Sequence, residues 1–334
     1  MRIERLPKLR VSIINKCQLK CSFCGGNETH MENFQPDGMN ELIEYEQLLK
    51  IIKIYIDSGG KYVQFTGGEP LLYPKIDVLV NDVFNMNGIP EINTNGIALT
   101  VNMAKKLKNS GLNVIKVSIP SFKKERYEEI TGINGLNRVL ENIRKAKEYL
   151  KIRINTVAMK SHMDEIALAI DTCQSLGIKQ LLFLELLYYY DIKEDSKRFF
   201  KSEYIDIYNE MGPIIEKKLA APIKKFDFYN EFENNLLFCK DKISGFEVFI
   251  KQARTTLRAL SCNKCKHFCQ EGIYELRLST GGYLSFCNVV NDNGENLSKA
   301  SETEINDLFR KYLEIFNNGF ITDFTEFILK HFIW

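Results

Sequence analysis

Apolar residues in the first 190 positions fall into short runs separated by amphipathic stretches. Six runs read as strands: Leu9–Ile14, Tyr62–Thr66, Glu91–Thr94, Asn113–Ser118, Lys151–Val157 and Gln180–Leu186. Tyr45, Leu48, Leu49, Ile52, Tyr55 and Ile56 are spaced for one helix face, and Gly59-Gly60 ends that helix. Pro74 suits the first turn of a second helix running to Asn87. Leu136–Tyr149 and Asp164–Leu176 read as further helices, the latter stopped by Gly177. Strands and helices in this alternation build a mostly parallel sheet, either open and doubly wound or curled into a partial barrel. In both, chemistry sits at the carboxyl ends of the strands.

The rhythm fades after Tyr190. Residues 191–260 are charged and aromatic and are expected to form a connecting helical region, with a helix over Lys201–Leu219. Residues 261–334 make a third region, and its tail from Ile305 to Trp334 reads as helical. The last stretch, Phe327 to Trp334, is apolar enough to pack against something rather than hang free.

Composition narrows the setting. A 334-residue chain that is 45% hydrophobic and 26% charged can bury a large core. The net charge of +2 gives no reason to expect a nucleic-acid or membrane partner. No signal-peptide core follows Met1 and no run approaches the ~18 apolar residues of a membrane span, so a cytoplasmic protein is expected. Nine cysteines in a reducing compartment are not a disulfide framework. Three of them cluster at Cys17, Cys21 and Cys24, and four at Cys262, Cys265, Cys269 and Cys287, which favours metal sites. Cys173 and Cys239 stand alone and read as small buried hydrophobes.

The first group has the spacing Cys-x3-Cys-x2-Cys and directly follows the first strand. Three thiolates on one short loop can hold three irons of a 4Fe–4S cluster and leave the fourth iron open to a substrate or cofactor. A second motif, Thr66-Gly67-Gly68-Glu69-Pro70, ends the second strand. Its glycines let the backbone approach a ligand closely, and Glu69 adds a negative charge able to pair with a ligand ammonium. Polar residues at other strand ends are further candidates: Asn95 after strand three, Ser118 ending strand four, Asn155 in strand five and Glu185 in strand six. A carboxylate in the apolar run around Glu185 is costly to bury unless paired or facing a polar interior, so it is expected to face the pocket.

With both motifs in this order on these strands, the chain resembles the radical S-adenosylmethionine (SAM) family, which also places an aromatic residue where Phe23 stands. The resemblance implies a partial (β/α)6 TIM-type barrel. It also implies that Cys17, Cys21 and Cys24 ligate a 4Fe–4S cluster whose open iron is chelated by SAM. The segment Gly67, Gly68, Glu69 and Pro70 would orient the SAM amino group, and Ser118 would contact its ribose or carboxylate. Reductive cleavage of SAM then yields methionine and a 5′-deoxyadenosyl radical that abstracts a hydrogen atom from a small-molecule or peptide substrate. Flavodoxin or ferredoxin is the implied reductant. A two-cluster electron carrier would explain neither the open iron nor the Gly-Gly-Glu-Pro turn, and a zinc-stabilised binding module would explain only the late cysteines.

Within that family, Ile130-Thr131-Gly132, Ile154-Asn155-Thr156-Val157 and the segment Leu276 to Cys287 resemble the GTP cyclase of molybdenum-cofactor biosynthesis. The chain departs from the cyclase at Lys16, at Glu275, where an arginine is expected, and at Ile333-Trp334, where the cyclase ends in Gly-Gly. A cyclase paralogue with another substrate is therefore expected. The start of strand one so close to Met1 leaves no room for a peptide-recognition domain and slightly favours a small molecule. Cys262, Cys265, Cys269 and Cys287 allow zinc bound by four thiolates, but their spacing around Gly282 resembles the twitch, or half-SPASM, pattern. That resemblance implies a second, auxiliary 4Fe–4S cluster in a C-terminal extension.

Overall fold

The six expected strands form as β1 (Lys8–Ser12), β2 (Tyr62–Thr66), β3 (Ile89–Thr94), β4 (Val114–Ser118), β5 (Ile152–Ala158) and β6 (Gln180–Glu185). Each pairs in parallel with the next. The computed structural model describes residues 6–23, 42–186, 200–225, 237–251, 258–259, 275–285, 294–317 and 320–321. The helices between the strands are α1 (Tyr45–Asp57), α2 (Ile76–Asn85), α3 (Val101–Asn109), α4 (Lys124–Thr131), α5 (Leu136–Ala146) and α6 (Ile166–Ser175). Pro74 is not in the first turn of α2, which begins two residues later with Lys75 as its N-cap.

The sheet continues past these six strands at both ends. The chain adds α7 (Gly212–Leu219), β7 (Lys224–Lys225), β8 (Leu237–Lys240), β9 (Glu247–Lys251), β10 (Arg258–Ala259), β11 (Glu275–Leu278), β12 (Tyr283–Ser285), β13 (Glu295–Asn296), α8 (Glu302–Asn317) and β14 (Phe320–Ile321). β11 lies parallel to β1, and β9 parallel to β6. The strand order is β13-β12-β11-β1-β2-β3-β4-β5-β6-β9-β8-β7, an open, mixed sheet with a parallel centre. Residues 191–260, read above as helical, thus carry three strands of this sheet. The helix expected over Lys201–Leu219 is broken, because a π-turn at Ile207–Met211 precedes α7 and Pro213 opens it. Within the described part of the tail, the helix runs to Asn317 and β14 pairs with β10; residues 322–334, including the apolar stretch Phe327 to Trp334, lie outside the described residues.

Alternation along the strands separates two faces. Val63, Phe65, Ile92, Ile115, Val117, Ile154 and Leu181 have 0% exposure and pack toward the helices. Burying each such side chain contributes about 1.5–3 kcal/mol. α8 joins this layer, with Phe309 5.7 Å from the fully buried ring of Tyr55 on α1. The opposite face is polar: Lys8 and Lys116 both pair with Glu91, at 2.6 and 3.1 Å, and all three are buried. Arg153 stacks over Phe249 and pairs with Gln180, which reaches Glu247. This network is consistent with an enclosed polar interior, since buried charges persist only when paired. Cys173 and Cys239 are buried as expected, and burial pushes their thiols up to about 12 and about 11. No helix among the described residues is long and apolar enough to cross a membrane.

Candidate active site

Three segments meet at the carboxyl ends of β1, β2 and β3. After β1 the backbone turns so that Ile14 O accepts from Gly68 N at 2.6 Å, and Lys16 O accepts from Glu69 N at 2.9 Å. The Gly67-Gly68 turn is thereby fastened to the residues leading into the cysteine loop. Glycine is required here for space. Gly67 has φ +123°, and a Cβ added to it would overlap the Ile14 carbonyl oxygen; one on Gly68 would overlap the Lys16 and Asn15 carbonyls. Gly67→Ala is therefore expected to cost about 2–4 kcal/mol and to displace the cysteine loop. Urea denaturation and iron content after reconstitution would check it, and an alanine variant with wild-type values of both would contradict this packing.

Glu69 joins the third segment. Its Oε1 accepts from Leu71 N at 3.0 Å and from Thr94 Oγ1 at 2.5 Å, and its Oε2 accepts from Asn95 N at 2.8 Å. The residue is 1% exposed. The reading of its carboxylate as the partner of a ligand ammonium is therefore corrected: both oxygens hold the protein together, and only the backbone of the turn remains to meet a ligand. Burial raises the Glu69 pKa, against the opposing effect of these three hydrogen bonds. Asn95 completes the circuit. Its Nδ2 points to Cys17 Sγ at 3.7 Å, and its Oδ1 accepts from Gln18 Nε2 at 3.1 Å. Cys17 Sγ also accepts from Leu19 N at 3.4 Å. Donors aimed at a sulfur favour its thiolate form, the form that binds metal.

The far side of the cysteine loop rests on α4. The carbonyls of Thr131 and Ile130, left unsatisfied by the helix's end at Gly132, accept from Lys20 N and Ser22 N at 3.0 Å each. Cys21 is half-buried and, with Phe23, packs on Ile130, Met159, Leu186 and Phe200. Cys17 is exposed. Cys24, Cys262, Cys265, Cys269 and Cys287 lie outside the described residues.

The remaining candidates divide. Ser118 is exposed at the end of β4 and pairs in register with Asn155 on β5, on the polar face. Glu185 does not join them. Its place in the strand alternation is that of Leu181 and Phe183, on the helix-facing side, and it accepts from Tyr204 Oη at 2.9 Å. The expectation that it faces the pocket is corrected, since a hydrogen bond from the half-buried Tyr204 meets the cost that argued for a polar interior.

Residues 11–173 match the profile described as the Radical SAM superfamily. A GTP 3′,8-cyclase of Aliarcobacter butzleri is 30% identical over 288 residues, 85% of this chain and 80% of that protein. This chain belongs to the radical SAM superfamily. A GTP 3′,8-cyclase of Clostridium botulinum is 28% identical over 91% of each chain. Streptococcus suis SuiB bound to S-adenosylmethionine has the same fold at 16% identity, with a TM-score of 0.62 over 95% of this chain and 68% of that one. So does anSMEcpe with bound AdoMet and Cp18Cys peptide, at 15% identity, with a TM-score of 0.59 over 90% and 82% of the two chains.

A radical SAM protein implies a 4Fe–4S cluster and SAM, and the residues present fit both. Two sulfurs of the motif stand on a loop braced from both sides. Three buried polar atoms have no partner among the described residues: Gln18 Oε1, Tyr127 Oη and Asn155 Oδ1. Such atoms are costly unless something satisfies them. All three belong to elements that build this end of the sheet. Gln18 and Tyr127 were absent from the sequence-based candidates. For Tyr127 the available signal was its place one turn before the Ile130-Thr131-Gly132 helix stop.

Proposed function

We propose that this radical SAM protein holds a 4Fe–4S cluster through Cys17, Cys21 and Cys24 and uses SAM to begin radical chemistry on a small metabolite or a peptide. When bound, the reduced cluster would supply an electron and SAM the 5′-deoxyadenosyl group, so that together they would supply the capacity to abstract a hydrogen atom from the substrate. The chain's own residues bind, orient and enclose. The half-buried turn at Gly67 and Gly68 would meet the amino end of SAM, while Ser118 and Asn155 would present polar groups to its remainder. The polar face of the sheet provides an enclosed wall that keeps water from a reactive intermediate. The observation that carries this reading is the bridge from the Gly67–Pro70 turn through Glu69 and Asn95 to the Cys17 sulfur.

Cys262, Cys265, Cys269 and Cys287 are proposed to hold an auxiliary 4Fe–4S cluster, and a flavodoxin or ferredoxin to supply electrons. Anaerobic reconstitution should then give about eight irons per chain, with SAM cleavage under reductant. Zinc in place of iron would overturn the reading.

A second reading is the cyclase reaction on GTP, supported by the cyclase relatives. Against it, Glu275 lies 3.5 Å from Arg10 and 3.6 Å from Arg277 and offsets the positive charge a triphosphate would need. Deuterium transfer from labelled candidate substrates into 5′-deoxyadenosine separates the two: transfer from labelled GTP would favour the cyclase.

A further inference from the structure

Asn95 makes one contact that the architecture of the site does not require. Its oxygen is structural. Oδ1 accepts from Ile97 N at 3.0 Å and from Gln18 Nε2 at 3.1 Å, which ties the end of β3 to the cysteine loop. An aspartate would supply the same acceptor. The amide nitrogen serves something else. Among the described residues, the acceptor of Nδ2 is the Cys17 sulfur, 3.7 Å away and 78 positions distant in the chain.

The direction of that nitrogen is fixed. A backbone N–H can only donate, so Ile97 N selects the oxygen of the carboxamide and turns the nitrogen toward the sulfur. The backbone around it is held as well. Asn95 N donates to Glu69 Oε2 at 2.8 Å, and Asn142 Nδ2 on α5 donates to Gly96 O at 2.9 Å and to Ile97 O at 3.1 Å. The donor is thus in place before any ligand arrives. Leu19 N also donates to Cys17 Sγ, at 3.4 Å, but it is a backbone group of the same loop. Asn95 is the donor that a side chain, reaching over from another strand, adds to this sulfur.

We infer that Asn95 is a positioning residue that acts through Cys17: its N–H···S hydrogen bond raises the reduction potential of the cluster that Cys17 ligates. This rests on the reading of the cysteine loop as a cluster site. Reduction adds negative charge to a cluster and its sulfurs. A donor to one of them therefore stabilises the reduced form more than the oxidised form, and the potential rises.

The test compares reconstituted full-length wild type with Asn95→Ala and Asn95→Asp. The first cluster is identified by the change in its electron paramagnetic resonance signal when SAM is added. Asn95→Ala removes the donor without adding charge, and should shift the midpoint potential of that cluster to a more negative value. Asn95→Asp keeps the acceptor for Ile97 N and Gln18 Nε2, places an anion beside the sulfur, and should shift the potential further in the same direction. A merely structural role predicts the reverse order, because the aspartate keeps the structural contacts. With heavy nitrogen in the asparagine side chains, pulsed electron paramagnetic resonance of the reduced wild type should show a nitrogen coupling that both variants lack. Equal potentials in the three chains, the reverse order, or no such coupling in the wild type would overturn this inference alone. So would a failure of both variants to hold iron, since Asn95 would then be needed to build the site rather than to tune it. A wild-type chain that holds no iron, or whose reduced signal does not respond to SAM, would instead overturn the cluster reading on which the inference rests.

Discussion

Replacing Cys21 with alanine is expected to leave a folded chain that neither retains the first cluster nor cleaves SAM. The fold should survive because Cys21 contributes little to it. It is only half-buried, and the hydrogen bonds that dock its loop run from the backbone of Lys20 and Ser22 to Thr131 and Ile130. Loss of one sulfur from its contact with Ile130 and Met159 should cost about 1 kcal/mol. The metal site, by contrast, loses one of only three thiolates, and two cannot hold a cubane against dissociation. Circular dichroism should match wild type while iron content falls by about four per chain and 5′-deoxyadenosine formation drops to background. Cys17→Ala should behave alike, with the added loss of the acceptor for Leu19 N and Asn95 Nδ2. Full turnover in the Cys21→Ala variant would refute the reading of the loop.

Glu69→Ala should instead damage the fold and the site together. The substitution leaves Leu71 N, Asn95 N and Thr94 Oγ1 without their acceptor. Leaving buried donors unsatisfied costs about 1–3 kcal/mol each, so a total of about 3–5 kcal/mol is expected after partial relaxation. Glu69→Gln keeps the shape but turns one of the two acceptor atoms into a donor, and should cost about 1–3 kcal/mol. The pH dependence distinguishes this role from a ligand contact. Burial raises the Glu69 pKa, so the folded chain holds a proton that the unfolded chain has already released. Stability from this group is therefore fully present below the ordinary carboxylate pKa and declines as pH rises through the raised value. The wild-type advantage over Glu69→Gln in urea denaturation should shrink across that window without any ligand present. An advantage that grows with pH would contradict the assignment.

How far each element could be read from the chain follows from where its pattern resides. The strands from β1 to β6 carry a dense apolar face and are bounded by glycine or polar turns, so their positions were legible to within two residues. β9 and β11 were not read as members of the sheet. They are five and four residues long, their polar-face positions hold Glu247, Lys251, Glu275 and Arg277, and their parallel partners, β6 and β1, are distant in sequence. α4 was missed because Lys124-Glu125-Arg126-Tyr127-Glu128-Glu129-Ile130-Thr131 is mostly charged, and only its contacts with the rest of the fold define its buried side.

The same division runs through the site. The cysteine spacing and the Gly-Gly-Glu-Pro turn are local patterns, and each was readable because its chemistry depends on a few consecutive residues. The sequence by itself thus determined the family and the loop that meets the cofactor. Only the tertiary structure decided the direction of individual side chains. Glu69 turns inward because Thr94 and Asn95 wait for it across the sheet, Glu185 falls on the helix side through strand register, and the cysteine loop rests on α4 because the carbonyls of Ile130 and Thr131 receive Ser22 and Lys20. A side chain's partner depends on packing between segments far apart in sequence, and no local pattern records it.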